Sequence, residues 1–311
     1  MSPKLRVGVI GAGRVGAVLA AGLQAAGHPV VAAAGESDAS RRRAADLLPG
    51  VPLHKPSEVA RRADLLLLTV PDDMLPNVVR VLAASGALRA GQVVAHTSGR
   101  HGLAVLAPAV ELGARAIALH PAMTFTGTAV DIERLHGCVF GLTAGADERV
   151  LAESLVADLG GRPTWVPEEM RTLYHAGLAH GANHLVTLVS EAMGLLAAAG
   201  VDDPAGTLRP LLDAALDNAL DHGDAALTGP IVRGDVKTVA AHLADIEANA
   251  PDTLSSYVAM AWATLDRSVT DGRLLPIQAL KIADVLGAYD DGEHRARFEA
   301  RFTRSNEERR A

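Results

Sequence analysis

Arg6-Val-Gly-Val-Ile-Gly-Ala-Gly-Arg-Val-Gly16 is the stretch whose reading decides the fold of this 311-residue chain. Val7, Val9 and Ile10 form an apolar run that reads as a buried parallel strand, and Gly11-x-Gly13-x-x-Gly16 turns the chain into a helix through Gly27. Gly11 permits the tight turn, Gly13 leaves room for a pyrophosphate beside the backbone, and Gly16 lets the helix pack close on the strand. Across Gly11, Ala12, Gly13, Arg14, Val15 and Gly16, free N–H groups and the positive end of the helix dipole favour a phosphate without needing a lysine. A glycine-rich turn can also be purely structural. Here it follows a strand directly and opens a helix, which favours a dinucleotide site.

Length and charge narrow the class. The chain is longer than one typical domain, so two domains are expected. A formal charge of −7 offers no basic field for nucleic acid. The single cysteine, Cys138, excludes an internal disulfide framework and fits a reducing compartment. The first strand follows directly on Met1–Arg6, so no signal sequence is expected, and no apolar run reaches the roughly 20 residues of a membrane helix. These features together predict a soluble cytoplasmic protein without a membrane partner. With aromatic residues at only 3%, the core must be built from tight aliphatic packing.

After the first helix, Pro29–Ala34 reads as a second strand whose end faces the adenosine ribose. In Gly35-Glu-Ser-Asp-Ala-Ser-Arg-Arg-Arg43, Glu36 would suit the free 2′-hydroxyl of NAD. Ser37, Ser40 and Arg41 to Arg43 would suit the 2′-phosphate of NADP. The clustering of anion-friendly groups, with Ser37 and Arg41 foremost, favours NADP over NAD. The arginine run is otherwise a solvated helix face.

Further alternation predicts a short strand near Val51, a helix over Ser57–Arg62 and a central strand over Asp64–Val70, closed by Pro71-Asp72-Asp73. Ligands of such sheets bind beyond the carboxyl ends of the strands, which puts Val70 and Pro71 beside the dinucleotide. Gln92-Val-Val-Ala-His-Thr-Ser-Gly99 is the next strand, with Thr97 and Ser98 at its tip, lining either the nicotinamide or nothing more than a strand end. Ala114–Leu119 then delivers His120 to the same edge, where it either donates to a developing alkoxide or caps a loop carbonyl. Asp131–Cys138 reads as an irregular connection. Val139–Leu142, a helix over Asp147–Leu159 and Arg162–Val166 complete the sheet.

From Glu168 the 3.6-residue period takes over. The predicted division is therefore a dinucleotide-binding domain over 1–167 and a helical substrate and dimerisation domain over 168–311. Met170–Ala199 reads as one long helix on which His175, Ala179, Asn183 and Thr187 recur every four residues along one face. A polar stripe on an Ala/Leu-rich helix is costly to bury without a partner or ligand, which makes His175 and Asn183 site candidates. His180 and His184 lack a third ligand, so no metal is expected. Gly200 and Pro204 end the helix. In Thr228-Gly-Pro-Ile-Val-Arg-Gly-Asp235, Thr228 and Arg233 could hold a carboxylate and Asp235 reads as the next N-cap; alternatively the segment is a turn stapled by Arg233 and Asp235. The charged tail over 290–311 reads as a solvated helix that frays.

Gly11–Gly16, Val70-Pro-Asp72, His96-Thr-Ser-Gly99, His120-Pro-Ala-Met-Thr-Phe-Thr-Gly127, Tyr174-His175 with Asn183, and Leu227–Asp235 carry a resemblance. Over almost its whole length the chain resembles an actinobacterial group with an N-terminal Rossmann-like domain and a C-terminal helical domain of unassigned function. That group is related to pyrroline-5-carboxylate reductase and the 6-phosphogluconate dehydrogenase superfamily. The resemblance implies an NADP-linked reductase whose helical domain, of the 6-phosphogluconate dehydrogenase C-terminal-like type, forms a homodimer. An alternative type of ketopantoate reductase is among the activities it implies. The ordinary ketopantoate reductase places a lysine four residues before its helix asparagine, whereas Ala179 stands there relative to Asn183. A carbonyl reductase of this sequence would take its proton from His120 or His175, with Asn183 orienting the carbonyl. Expected, therefore, is reduction of a small 2-oxo acid, ketopantoate foremost. The alternatives are an imine or deazaflavin-linked NADP reductase, and a non-catalytic NADP-binding sensor.

Overall fold

Alternate residues of a strand face opposite sides of a sheet, and the aliphatic runs obey that rule. Val7, Val9, Leu65 and Leu67 enter one core layer, while Ile10, Leu66 and Leu68 enter the other. The computed structural model describes residues 4–290, 292, 294–298 and 300. Its first half runs β1 (Val7–Ile10), α1 (Arg14–Ala25), β2 (Val30–Ala34), α2 (Asp38–Leu47), α3 (Pro56–Arg62), β3 (Leu65–Leu68), α4 (Leu75–Ala84), β4 (Val93–His96), α5 (Ala107–Val110) and β5 (Arg115–Pro121). It continues through α6 (Val130–Arg134), β6 (Val139–Ala144), α7 (Arg149–Asp158) and β7 (Arg162–Trp165).

The seven strands form one sheet in the order β2-β1-β3-β4-β5-β6-β7. All neighbours are parallel except β5 and β6, which run antiparallel. Ile10 is level with Leu68, Leu68 with His96, and His96 with Ala118. The carboxyl tips of β1, β3, β4 and β5 therefore share one edge. The strand order reverses at β1, which opens a crevice between β1 and β3 where ligands of such sheets bind.

Three local expectations give way. Near Val51 only an isolated bridge joins Ala33 and Leu53, so no strand forms there. The segment after Asp131 is not irregular throughout, because α6 covers Val130–Arg134. β6 runs antiparallel to β5, and the connection between them, residues 122–138, carries only the short α6.

Two units divide the chain, 1–183 and 184–311. The division falls inside α8 (Arg171–Ala198), further along than the boundary near Pro167. The second unit holds the end of α8, α9 (Pro204–His222), α10 (Val236–Asn249), α11 (Leu254–Thr270) and α12 (Pro276–Gly287). Val239, Leu243, Val258, Trp262, Leu265, Ile282 and Leu286 make its core. Pro204 opens α9, and the Asp203 side chain caps it by accepting from the Gly206 N–H at 2.9 Å. Asp235 stands at the N-cap of α10, but its carboxylate makes no cap bond; its backbone N–H donates to Pro230 O at 2.7 Å instead. The tail beyond residue 300 lies outside the described residues. No described helix is long and apolar enough to cross a membrane.

Candidate active site

The glycine loop is shaped by its own chain at two positions and left open at a third. Gly11 has φ +99°, and a Cβ there would meet the Thr69 carbonyl at 2.8 Å. At Gly16 a Cβ would collide with Thr69 Oγ1 and the Gly11 carbonyl. At Gly13 it would meet only Gly11 O, at 3.7 Å. Nothing in the chain therefore demands glycine at position 13. Space for an approaching group explains it, and α1 opens there with no side-chain cap. The residues present fit a dinucleotide pyrophosphate. Thr69, not anticipated from sequence, holds the loop: its hydroxyl donates to Gly11 O at 2.6 Å.

At the ribose end the expected ligands are already engaged. Ser37 is the N-cap of α2, its oxygen accepting from Ser40 N–H at 3.1 Å and lying 2.9 Å from Ser40 Oγ. Arg41 pairs with Asp38 at 2.8 Å. Arg43 and Arg14 instead converge on Gly127, where a Cβ would meet the Arg14 Cγ at 2.9 Å and collide with Arg43 Nε. Asp131 pins that loop by accepting from Gly127 N–H at 2.7 Å. Arg14 and Arg43 thus meet beside Gly127, while Ser37 and Arg41 have partners within α2.

Val70 and Pro71 follow the tip of β3, and Arg100 ties the next two residues down through Asp72 at 3.5 Å and Asp73 at 2.9 Å. Thr97 is half-buried at the tip of β4. Ser98 is buried and serves the framework: its Oγ accepts from His101 N–H at 3.1 Å and its N–H donates to His96 Nδ1 at 3.2 Å. Buried His96 donates from Nε2 to Gly102 O at 2.8 Å, which fixes its tautomer. Burial, with Arg171 and His101 adding to it, lowers its pKa to about 4.

His120 lies one position beyond the level of Thr97 on β5. Its Nδ1 is 3.2 Å from the Tyr174 hydroxyl, and its ring meets Tyr174 and His175 edge to face at centroid distances of 5.7 and 5.8 Å. Both histidines pack on Gly99, where a Cβ would lie 3.0 Å from His120 Nε2 and collide with the His175 ring. Burial lowers the His120 pKa to about 4, with Arg171 and His175 adding to it. The ring is therefore neutral near pH 7, and the imidazolium expected as proton donor is not the resting species.

Arg171, Tyr174 and His175 share one face of α8 at i, i+3 and i+4. Arg171 is 0% exposed. It donates to Ser98 O at 2.7 Å, Thr143 Oγ1 at 3.1 Å and Gly141 O at 3.4 Å, while its Nε has no partner. No carboxylate touches it among the described residues, so a cation sits buried beside His120 and Tyr174. Burial lowers its pKa, with Tyr174, Glu168 and Asp72 acting the other way. Sequence reading missed Arg171 because nothing near it signals burial. Tyr174, quoted beside His175 for the family resemblance, was given no role because the four-residue stripe from His175 skips its neighbour. Further along that stripe Ala179 is half-buried, and Asn183 and Thr187 are exposed.

In the second unit, Thr228 and Arg233 are exposed, with Arg233 Nη2 4.0 Å from Asp235. The described residues hold no group of three potential metal ligands.

Residues 1–121 match the model of a Rossmann-like domain, and residues 138–264 match that of a domain of unknown function, DUF2520. The chain carries a Rossmann-like domain followed by a DUF2520 domain. The Rossmann-like match contributes the glycine loop and His120, and the DUF2520 match contributes Arg171, Tyr174 and His175. None of the curated proteins matches the chain. Among solved structures it is similar to a candidate NADP oxidoreductase from Bacteroides fragilis, at 19% identity and TM-score 0.71, covering 84% of this chain and 98% of that one. An imine reductase from Pseudomonas sp. follows, at 21% identity and TM-score 0.63, covering 90% and 99%. A pyrroline-5-carboxylate reductase from Coxiella burnetii is similar at 14% identity and TM-score 0.53, covering 92% and 97%. At these identities the likeness is one of fold.

Proposed function

We propose that this protein is an NADP(H)-dependent oxidoreductase that reduces the carbonyl of a small 2-oxo acid, with ketopantoate the foremost substrate. The observation that carries this reading is the placement of the glycine cradle and the His120–Tyr174–His175 cluster at one sheet edge, with His120 two positions beyond the level of the β4 tip at His96. When bound, the nicotinamide supplies the hydride. Arg14 and Arg43 receive the 2′-phosphate, and His120 faces the carbonyl oxygen as a neutral hydrogen-bond donor, with His175 beside it.

The buried charge of Arg171 supports an oxo acid over an imine. No carboxylate neutralises it by contact, so it favours an anionic substrate and a developing alkoxide and opposes a protonated imine. Asn183 is proposed to orient the carbonyl. The reading of Thr228 and Arg233 as carboxylate ligands rests on the sequence motif.

A homodimer through the helical domain is also proposed. Leu185, Val186 and Leu188 on α8, and Leu211, Leu216 and Leu220 on α9, are exposed, Leu220 to 77%. Monomers rarely leave such a surface to water. A cytoplasmic setting is supported by Cys138, which is buried and unpaired.

NADPH oxidation is to be followed with ketopantoate, with pyrroline-5-carboxylate and with no substrate. Saturable turnover of ketopantoate supports the reading. Turnover of the imine alone overturns the substrate class, and NADPH binding without turnover of either favours a sensor.

A further inference from the structure

The Tyr174 hydroxyl lies beside the His120 ring, and no step above gives it a task. Its oxygen is 3.2 Å from His120 Nδ1, and His120 Nε2 makes no hydrogen bond among the described residues. Tyr174 packs directly on Gly141, where a Cβ would sit 2.5 Å from the phenol oxygen. Burial raises the Tyr174 pKa and keeps the phenol protonated at rest, with Arg171 and the Gly141 backbone acting the other way. A phenol that is protonated at rest has an O–H to give, and His120 Nδ1 lies within hydrogen-bond distance as its acceptor. His120 then carries its proton on Nε2, the nitrogen left without a partner. The Arg171 guanidinium carbon lies 6.0 Å from the Tyr174 ring centroid.

We propose that Tyr174, His120 and Arg171 form a proton relay: Tyr174 O–H donates to His120 Nδ1, His120 Nε2–H donates to the substrate oxygen, and Arg171 stabilises the phenolate that transfer leaves. The proposal rests on the carbonyl-reductase reading above. Hydride from the reduced nicotinamide adds to the carbonyl carbon, and the C=O π pair moves to oxygen. That oxygen takes the Nε2 proton while the Tyr174 proton moves to Nδ1. The imidazole ends neutral in its other tautomer, the alcohol is complete, and solvent returns one proton to the phenolate after release. No imidazolium forms, in keeping with the low His120 pKa.

Tyr174 and His120 face Arg171, His175, Asp72, His96 and Cys138, and Asp72, the one carboxylate among these, bonds to neither ring. Tyr174 is thus the group that can refill Nδ1.

Two measurements test the relay. In the ligand-free wild-type protein, nitrogen NMR of the His120 ring should show the Nε2–H tautomer, and Tyr174→Phe should lose that preference. A wild-type ring protonated on Nδ1 overturns the proposal, and needs neither a variant nor a substrate. In turnover, Tyr174→Phe should lower kcat by about 10²–10⁴-fold with the KM for NADPH nearly unchanged; retention of kcat within about threefold overturns it as well. If no substrate is reduced, the carbonyl-reductase reading fails, while the tautomer still decides the direction of donation.

Discussion

The Thr69 hydroxyl and the Gly11 carbonyl are joined by a 2.6 Å hydrogen bond that closes the glycine loop against the tip of β3. Thr69→Val removes that bond while keeping the branched shape. The expected loss is about 0.5–1.5 kcal/mol of stability, together with weaker NADPH binding. Chemical denaturation and calorimetric titration check the two halves separately.

Gly13 and Gly16 should part company on substitution. Gly16→Ala drives a methyl group into Thr69 and the Gly11 carbonyl, so the variant should be destabilised or fail to accumulate. Gly13→Ala meets only an ordinary contact at 3.7 Å, so it should keep its melting temperature and lose NADPH affinity. Equal melting losses in both would remove the case for a phosphate at Gly13.

Cofactor choice should depend on Arg43 more than on Arg41. Arg41 is already paired with Asp38 at 2.8 Å, whereas Arg43 lies with Arg14 against Gly127. Arg43→Ala should cost roughly 10–100-fold in NADPH affinity with NADH little affected, the equivalent of one charge-assisted hydrogen bond. An unchanged NADPH to NADH ratio would reassign the 2′-phosphate.

Acid should destabilise the protein through its buried imidazoles. His96 and His120 have native pKa values near 4 against an ordinary 6.5, so the unfolded chain binds more protons in that interval. Their contribution is fully present above about pH 6.5 and is lost as pH falls toward 4, on the order of 3 kcal/mol for each. Urea midpoints across this window should fall less steeply for His120→Asn than for the wild type.

Arg171→Met should uncover the electrostatic coupling. Removing the guanidinium should raise the His120 pKa part of the way toward 6.5, since burial is the larger cause and persists. The Ser98 and Gly141 carbonyls lose their donors, which costs about 1–3 kcal/mol. NMR titration of His120 separates this effect from a purely structural role.

Most of the sheet was legible because four-residue aliphatic runs such as Leu65–Leu68 admit little besides a central strand. The antiparallel β6 was not, since Val139–Leu142 has the same composition whichever way it runs. The glycine loop was legible from spacing alone. Arg171 and Tyr174 were not, because their role comes from packing across strands far away in sequence, against Ser98, His120 and Gly141.

The placement of Arg171–Asn183 in the first unit has a practical corollary for dissecting the protein. A fragment ending at Pro167, where composition changes, would leave the carbonyls of Ser98 and Gly141 without their arginine and His120 without its tyrosine. Such a fragment would keep the strands and the glycine loop but carry a wound beside His120. A fragment ending at Asn183 would keep that cluster whole. The smallest piece worth studying alone is therefore set by a hydrogen-bonded arginine, and it ends halfway along a helix.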